Sequence, residues 1–497
     1  MNRERAQTLF EAIGGVREEF AEETQAALQR RRRPGLRRAA VLAACLLLVL
    51  TASAIVRNLG LVGFPIYFPF PGGSTGGSGG QSGTSYMSYM GPVFPLSAQG
   101  GGGGLTVSRS TDFGFSNPRD RQLECRITDE YVLTNPGATA ETVTLLYPFA
   151  ASLADEAKLY PALRIDGEAL EPELLAGAVT DGVGTVGPVR SWEDYRELLG
   201  EGMPLPGLRD QSLAELPVTV YEICDMYGGE DIAHHATLNL EFDADWSRTA
   251  ILTYRFNGGS TDLEGGLGAR HTDVMTELSG WGDRAFLLVL GEDIENCEMK
   301  AYTSAAMDSP AENAGGTLRR YTSTLGEMTA VALDAELSLF MSQNADGNPY
   351  LSREQLLDLA LARMEELGLR SESIGSFPWG SEGFLEDIFG VVLHHRRLMY
   401  FRLPLTVPAG ASVTVTAEYL KQPSIDYGGR EAYRQGYDLV TKLGTELAFT
   451  RQEASLSGGE KLEILDQNFG FDLQKGITRV TLDPAKEHYF MDVRMKA

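Results

Sequence analysis

Between Arg38 and Arg57 the chain carries 18 residues, Ala39 to Val56, without a charge, and only Thr51 and Ser53 among them are polar. A helix of ~20 residues crosses the hydrocarbon core of a bilayer, and a helix satisfies its own backbone there. The run lies at the short end of that length, and Arg38 and Arg57 extend it by reaching their charges to the interface. Residues 39–57 are therefore predicted to form one transmembrane helix. Six arginines precede the run (Arg30, Arg31, Arg32, Arg33, Arg37 and Arg38), and only Arg57 follows closely. That bias puts the N-terminus in the cytoplasm and the long C-terminal part outside. The expected location is the cell membrane, with extracytoplasmic C-terminal domains. The competing reading is a signal peptide cleaved after Ala52-Ser53-Ala54, with residues 1–54 removed. A basic region of 38 residues is far longer than such leaders use, and it favours a retained anchor.

Charge divides the chain in the same place. The net charge is −25; residues 1–38 hold nine Arg and six Glu, a net of +3, which leaves −28 on the rest. So acidic a surface argues against nucleic acid and anionic lipid as partners of the outer part. Of four cysteines, Cys45 lies in the apolar run. Cys125, Cys224 and Cys297 form an odd set that allows at most one disulfide and fits no zinc spacing.

Residues 6–29 repeat Leu9, Phe10, Ile13, Val16 and Phe20 at three- and four-residue steps, one apolar stripe of a helix. Glu11, Glu18, Glu19, Glu22 and Glu23 fall mostly on the other side, and Gly14-Gly15 weakens the middle. A short amphipathic helix without a domain of its own needs a partner. Residues 1–38 are thus expected to contact a cytoplasmic protein through Leu9, Ile13, Val16 and Phe20. The order "LFEAIGGVREEFAEETQ", an arginine cluster, then one apolar span resembles the front end of single-pass, anti-sigma-factor-like membrane regulators of Gram-positive bacteria. That resemblance covers about the first 57 residues and implies a regulatory partner. The Cys/His zinc motif that many anti-sigma domains carry is absent.

Residues 58–104 begin with aromatic residues suited to a membrane interface (Phe64, Tyr67, Phe68, Phe70) and continue as a Gly/Ser-rich run, expected to be a flexible tether. Two G-x-S-x-G matches fall inside it, without the strand and helix that a nucleophile elbow requires. From Leu105 the pattern turns to short alternating strands. "LRIDGEAL" reads as a hairpin with Asp166-Gly167 at its tip, and "SWEDYRELLG" as a helix. "AFLLVLGED", "EMKAYTS", "TLRRYTST" and "MTAVALDAELSLF" continue the strand pattern. Two helices, "SREQLLDLALARMEELG" and "GFLEDIFGVVLHHRRL", precede a return to strands. The expected fold is mainly β: two β-sandwich-like units, 105–260 and 261–497, the second carrying a helical insertion at about 350–398. "LTNPGATAETVTLLYPF" and "LPLTVPAGASVTVTAEYL" resemble the strand–turn–strand elements of bacterial Ig-like or fibronectin-like modules, which implies a fold and no activity.

Few residues promise chemistry. "SQNADGNPYLSRE" touches the EF-hand pattern at Asn344, Asp346 and Gly347. Position 1 is Ser342 and position 12 is Arg353, so the closing carboxylate is missing. Ser352 with Gln355 reads better as a helix cap. His234-His235 and His394-His395 are adjacent pairs whose rings diverge, so neither pair chelates one ion by itself. Asp243 and Asp245, with Trp246, place two carboxylates on one strand face, an arrangement that in principle serves sugar chemistry. No metal, cofactor or catalytic residue is assigned. The expected function is membrane-anchored extracytoplasmic sensing or binding of an unknown ligand, in the manner of an anti-sigma-like regulator. The alternatives are an adhesion or scaffold module without signalling, and an extracytoplasmic hydrolase.

Overall fold

The computed structural model describes residues 86–496, apart from 87, 101, 120–121, 181–188, 201, 204–210, 229–235, 262–268, 278–283, 305–306, 308, 344–349, 351, 370–383 and 427–433. Residues 1–38 with Leu9, Ile13, Val16 and Phe20, the apolar run 39–57, the Gly/Ser-rich run to 85, His234-His235 and most of the EF-hand-like loop lie outside the described residues. Among the described residues no helix is long and apolar enough to cross a membrane.

The fold is mainly β, and the described residues form five sheets. One seven-stranded sheet runs Arg479–Thr481, Ala448–Ser457, Thr106–Arg119, Gln122–Thr134, Ser412–Lys421, Ala162–Ile165 and Glu168–Ala169. Its apolar face meets that of a four-stranded sheet ordered Ser97–Gln99, Glu141–Ala151, Arg397–Val407 and Glu173–Val179. Tyr131 of one sheet and Tyr147 of the other sit edge to face, with ring centroids 6.3 Å apart. The expected tip of the Asp166-Gly167 hairpin is there: both residues have positive φ (48° and 89°), as a tight two-residue turn needs.

The two similar strand–turn–strand stretches are arches that change sheets. Gln122–Thr134 and Glu141–Ala151 lie in different sheets, as do Arg397–Val407 and Ser412–Lys421. The arches pair with each other: Leu145 is opposite Leu403 in one sheet and Tyr131 opposite Val415 in the other. Asn135 joins the two bends, its backbone N–H donating to Ala411 O and its Nδ2 to Val407 O, each at 3.0 Å.

Between the strands Glu173–Val179 and Arg397–Val407 the chain carries an insertion. Strands Thr249–Tyr254, Arg284–Gly291, Pro217–Tyr227 and Gly315–Thr324 form one sheet, and Gly258–Thr261, Ala269–Glu277, Thr237–Asp245 and Glu295–Tyr302 another. Ile223, Leu287 and Ile251 of the first meet Leu240, Phe242 and Val274 of the second in one apolar cluster. The first sheet's opposite face, with Val220, Leu252, Phe286 and Leu288, joins the main core together with the helices. Arg284–Gly291 is buried on both faces, which is why it reads as a continuous apolar run. A last sheet, Ser424–Asp426, Arg434–Val440, His488–Met495 and Leu462–Gln467, closes the chain.

Three sequence expectations are corrected. The boundary at 260/261 does not separate sheets, because strands from 106–179 pair with strands from 397–481. Strand periodicity reports which faces are buried and says nothing about the partner. "MTAVALDAELSLF" is helical: it lies within Leu325–Gln343, whose buried Leu325, Met328, Thr329, Ala332 and Leu333 recur at helical spacing. The helical part therefore begins near 325 and continues through Arg353–Glu366 and Leu385–His394. Finally, residues 86–99 do not belong to a loose tether. Tyr86, Tyr89, Val93, Phe94, Leu96 and Ala98 are buried. Their aromatic and branched side chains provide the apolar surface that the glycines before them lack.

Candidate functional site

The carboxylates singled out in sequence are committed locally. Asp243 accepts from Asn296 at 2.7 Å and faces His271 Nδ1 at 3.3 Å. Asp245 accepts from Ser247 and Arg248 in its own turn. Hydrogen bonds from Asn296 and from Ser247, respectively, hold both below the usual carboxylate range, so neither can act as a proton donor near neutrality. No group of three potential metal ligands occurs among the described residues. His394 ends a helix beside Phe340, its ring charge disfavoured by burial and then by His395. Ser352 caps the helix Arg353–Glu366, accepting from Gln355 N as the capping pattern predicts. Cys125, Cys224 and Cys297 are free thiols.

Two clusters that the sequence reading missed carry more structure. The first holds the arm 86–99. Pro92 and Pro95 exclude helix and keep this stretch extended, and Gly91 turns it at φ 68°. Ser88 exchanges backbone bonds with Ile425, and Val93 bonds Asp438 O and Val440 N. Tyr86 OH donates to Asp492, which also pairs with Arg434. Tyr89 OH donates to Asp438 at 2.5 Å, and His488 Nε2 lies 3.2 Å from the same carboxylate, its ring stacked on Trp192. Lys421 Nζ donates to Met90 O at 2.8 Å. Burial, reinforced by the nearby aspartates, pushes both tyrosine hydroxyls far above their ordinary value, so they remain donors. Burial, reinforced by Arg396, draws the Lys421 amine down to about 7. Deeper in, Arg109 donates to Phe94 O and Val440 O and bonds Asp129 through Nε and Nη2 at 2.9 and 3.0 Å.

The second cluster lies where the helices meet the inserted sheets. Glu336 accepts from Tyr254 OH at 2.9 Å and has the Arg255 guanidinium at 3.6 Å. Glu386, in the first turn of Leu385–His394, accepts from the backbone N–H of Arg255. Its other oxygen, Oε2, is buried without a hydrogen-bond partner among the described residues. Arg255 has φ 61°, a left-handed conformation that costs a non-glycine residue ~1–3 kcal/mol unless its surroundings impose it. Burial raises the Glu386 carboxyl to about 7. The clue in sequence was the acid run Glu386-Asp387 at a helix start, which reads equally as ordinary charge at a helix N-terminus.

Neither cluster is a nucleophile–base arrangement, and the Glu386 carboxyl is turned inward. The chemistry on offer is clamping and proton-dependent packing. Comparison with known proteins gives no match to any family model and no curated relative.

Proposed function

We propose that the chain is a single-pass, membrane-anchored protein whose extracytoplasmic part binds or senses a ligand and whose residues 1–38 engage a cytoplasmic protein partner, in the manner of an anti-sigma-like regulator. In this reading residues 39–57 span the membrane, and both facing pairs of sheets are β-sandwich modules that present binding surfaces rather than an active site. One observation carries it: the arm that follows the Gly/Ser-rich run is built into the folded part by Tyr86–Asp492, Tyr89–Asp438 and Lys421–Met90. That attachment joins the C-terminal sheet to the segment nearest the expected anchor and supports this reading.

The test has two arms. Residues 1–38 as bait, with crosslinking, are expected to capture one specific cytoplasmic protein, and Ile13→Glu with Phe20→Glu to abolish capture. No specific partner removes the signalling half of the proposal. Carbonate washing is expected to leave the full chain in the membrane fraction; release, with a mature N-terminus at Ile55, removes the anchor.

A further inference from the structure

Two acids meet where the helix Leu325–Gln343 and the start of Leu385–His394 pack on the strand Thr249–Tyr254, and they are treated very unequally. Glu336 receives the Tyr254 hydroxyl and faces the Arg255 guanidinium. Glu386 receives the backbone N–H of Arg255 and its own, and its Oε2 is enclosed without a hydrogen-bond partner among the described residues. The Arg255 guanidinium is thus turned to the other acid. Asp387 adds a further negative charge on the same helix, and Glu336 faces Glu386 across the junction. Thr253 and Phe384 form a single parallel bridge beside these groups, so that bridge and the Glu386–Arg255 bond are the polar ties between helix start and strand, added to the packing of Phe384, Leu385 and Ile388.

We propose that Glu386 is a proton-controlled clasp between the helical layer and the inserted sheets: protonated, it holds the start of Leu385–His394 against Tyr254–Arg255; ionised, it loosens that junction. A protonated carboxyl accepts the Arg255 N–H and sits in its enclosed pocket without a buried charge. An ionised one adds an anion beside Glu336 and Asp387 whose burial the two backbone N–H donors offset only in part. The sign follows from the direction of the shift. The carboxyl has its ordinary value near 4.5 when the junction is open and about 7 when it is closed. Closure is therefore strongest below about 4.5 and weakens as pH rises through 7. An acidic exterior tightens the junction and an alkaline one frees it.

Hydrogen exchange of the full chain between pH 5 and 8, corrected for intrinsic exchange rates, tests this. Amides of 384–394 and 249–255 are expected to lose protection about tenfold or more relative to those of the strand Gln122–Thr134. Glu386→Gln, uncharged at every pH, is expected to remove that dependence while keeping the junction closed. Glu336→Gln removes the facing charge and frees Arg255, and is expected to move the midpoint to lower pH. A wild-type junction indifferent to pH, or a Glu386→Gln profile that matches wild type, overturns the proposal. Should Glu386→Gln fail to fold, the midpoint in Glu336→Gln decides: a downward move supports the clasp and an unmoved one overturns it.

Discussion

Arg109 and Asp129, both with fully enclosed side chains, face each other across neighbouring strands in a two-point bond at 2.9 and 3.0 Å. Asp129 also accepts from Thr111 and Tyr131, and Arg109 donates its remaining bonds to Phe94 O and Val440 O. One ion pair thus ties the arm, the seven-stranded sheet and the C-terminal sheet together. Every side-chain nitrogen of Arg109 and oxygen of Asp129 has a hydrogen-bond partner, which is the condition under which a buried pair is tolerated.

Breaking that pair from one side strands a charge. Asp129→Asn or Arg109→Met is expected to cost ~3–5 kcal/mol in denaturant unfolding. Replacing both residues by apolar ones is expected to cost less than the sum of the two single changes. Additive losses in a double-mutant cycle would show that the two groups act independently.

Tyr89→Phe removes the hydroxyl that bonds Asp438 and leaves the ring in place. An expected loss of ~1–3 kcal/mol follows from a buried carboxylate short of one donor. Limited proteolysis gives the specific readout: cleavage within 86–99 is expected to accelerate before cleavage elsewhere.

Lys421 makes stability depend on pH in a definite direction. Its amine is drawn from 10.5 to about 7 by burial. The folded state then binds fewer protons than the unfolded one between these values, so stability rises with pH from 7 to 10, by at most ~1.4 kcal/mol per pH unit. Below about 7 the contribution is flat and at its lowest. Lys421→Met is expected to flatten the slope in urea titrations at pH 7 and 9.

Gly436 lies under the Tyr86 ring, where an added Cβ would run into the hydroxyl end. Gly436→Ala is expected to push Tyr86 off Asp492 at a cost of ~1–3 kcal/mol. The tyrosine's fluorescence and proteolysis of the arm would both report it. Unchanged protection of the arm would mean that the strand shifts to make room.

Local chemistry was readable in the sequence. Asp166-Gly167 forms the turn its residue types demand, Ser191 and Asp194 form a capping box at the start of Trp192–Leu199, and Ser352 caps the next-to-last helix. The helix Leu325–Gln343 was hidden because its apolar residues fall on several sides, the exposed Leu339 and Met341 included, so the stripe that separates helix from strand is blurred. The arm was hidden by its neighbours, since Tyr86 to Ala98 lies between glycine-rich stretches and looks like more of the same. Both clusters were out of reach for another reason. Tyr86 and Asp492 are 406 positions apart, Tyr89 and Asp438 349 apart, and no spacing rule connects residues so distant.

Thr106–Arg119 takes its parallel partner from Ala448–Ser457, with Val107 and Thr450 separated by 343 positions. A chain emerging vectorially from ribosome or translocon must therefore leave one edge of its largest sheet open until nearly all of it has been made. Closing so long a loop is slow, and an exposed edge invites pairing with other chains. Strand order thus sets the interval in which that edge waits for its partner.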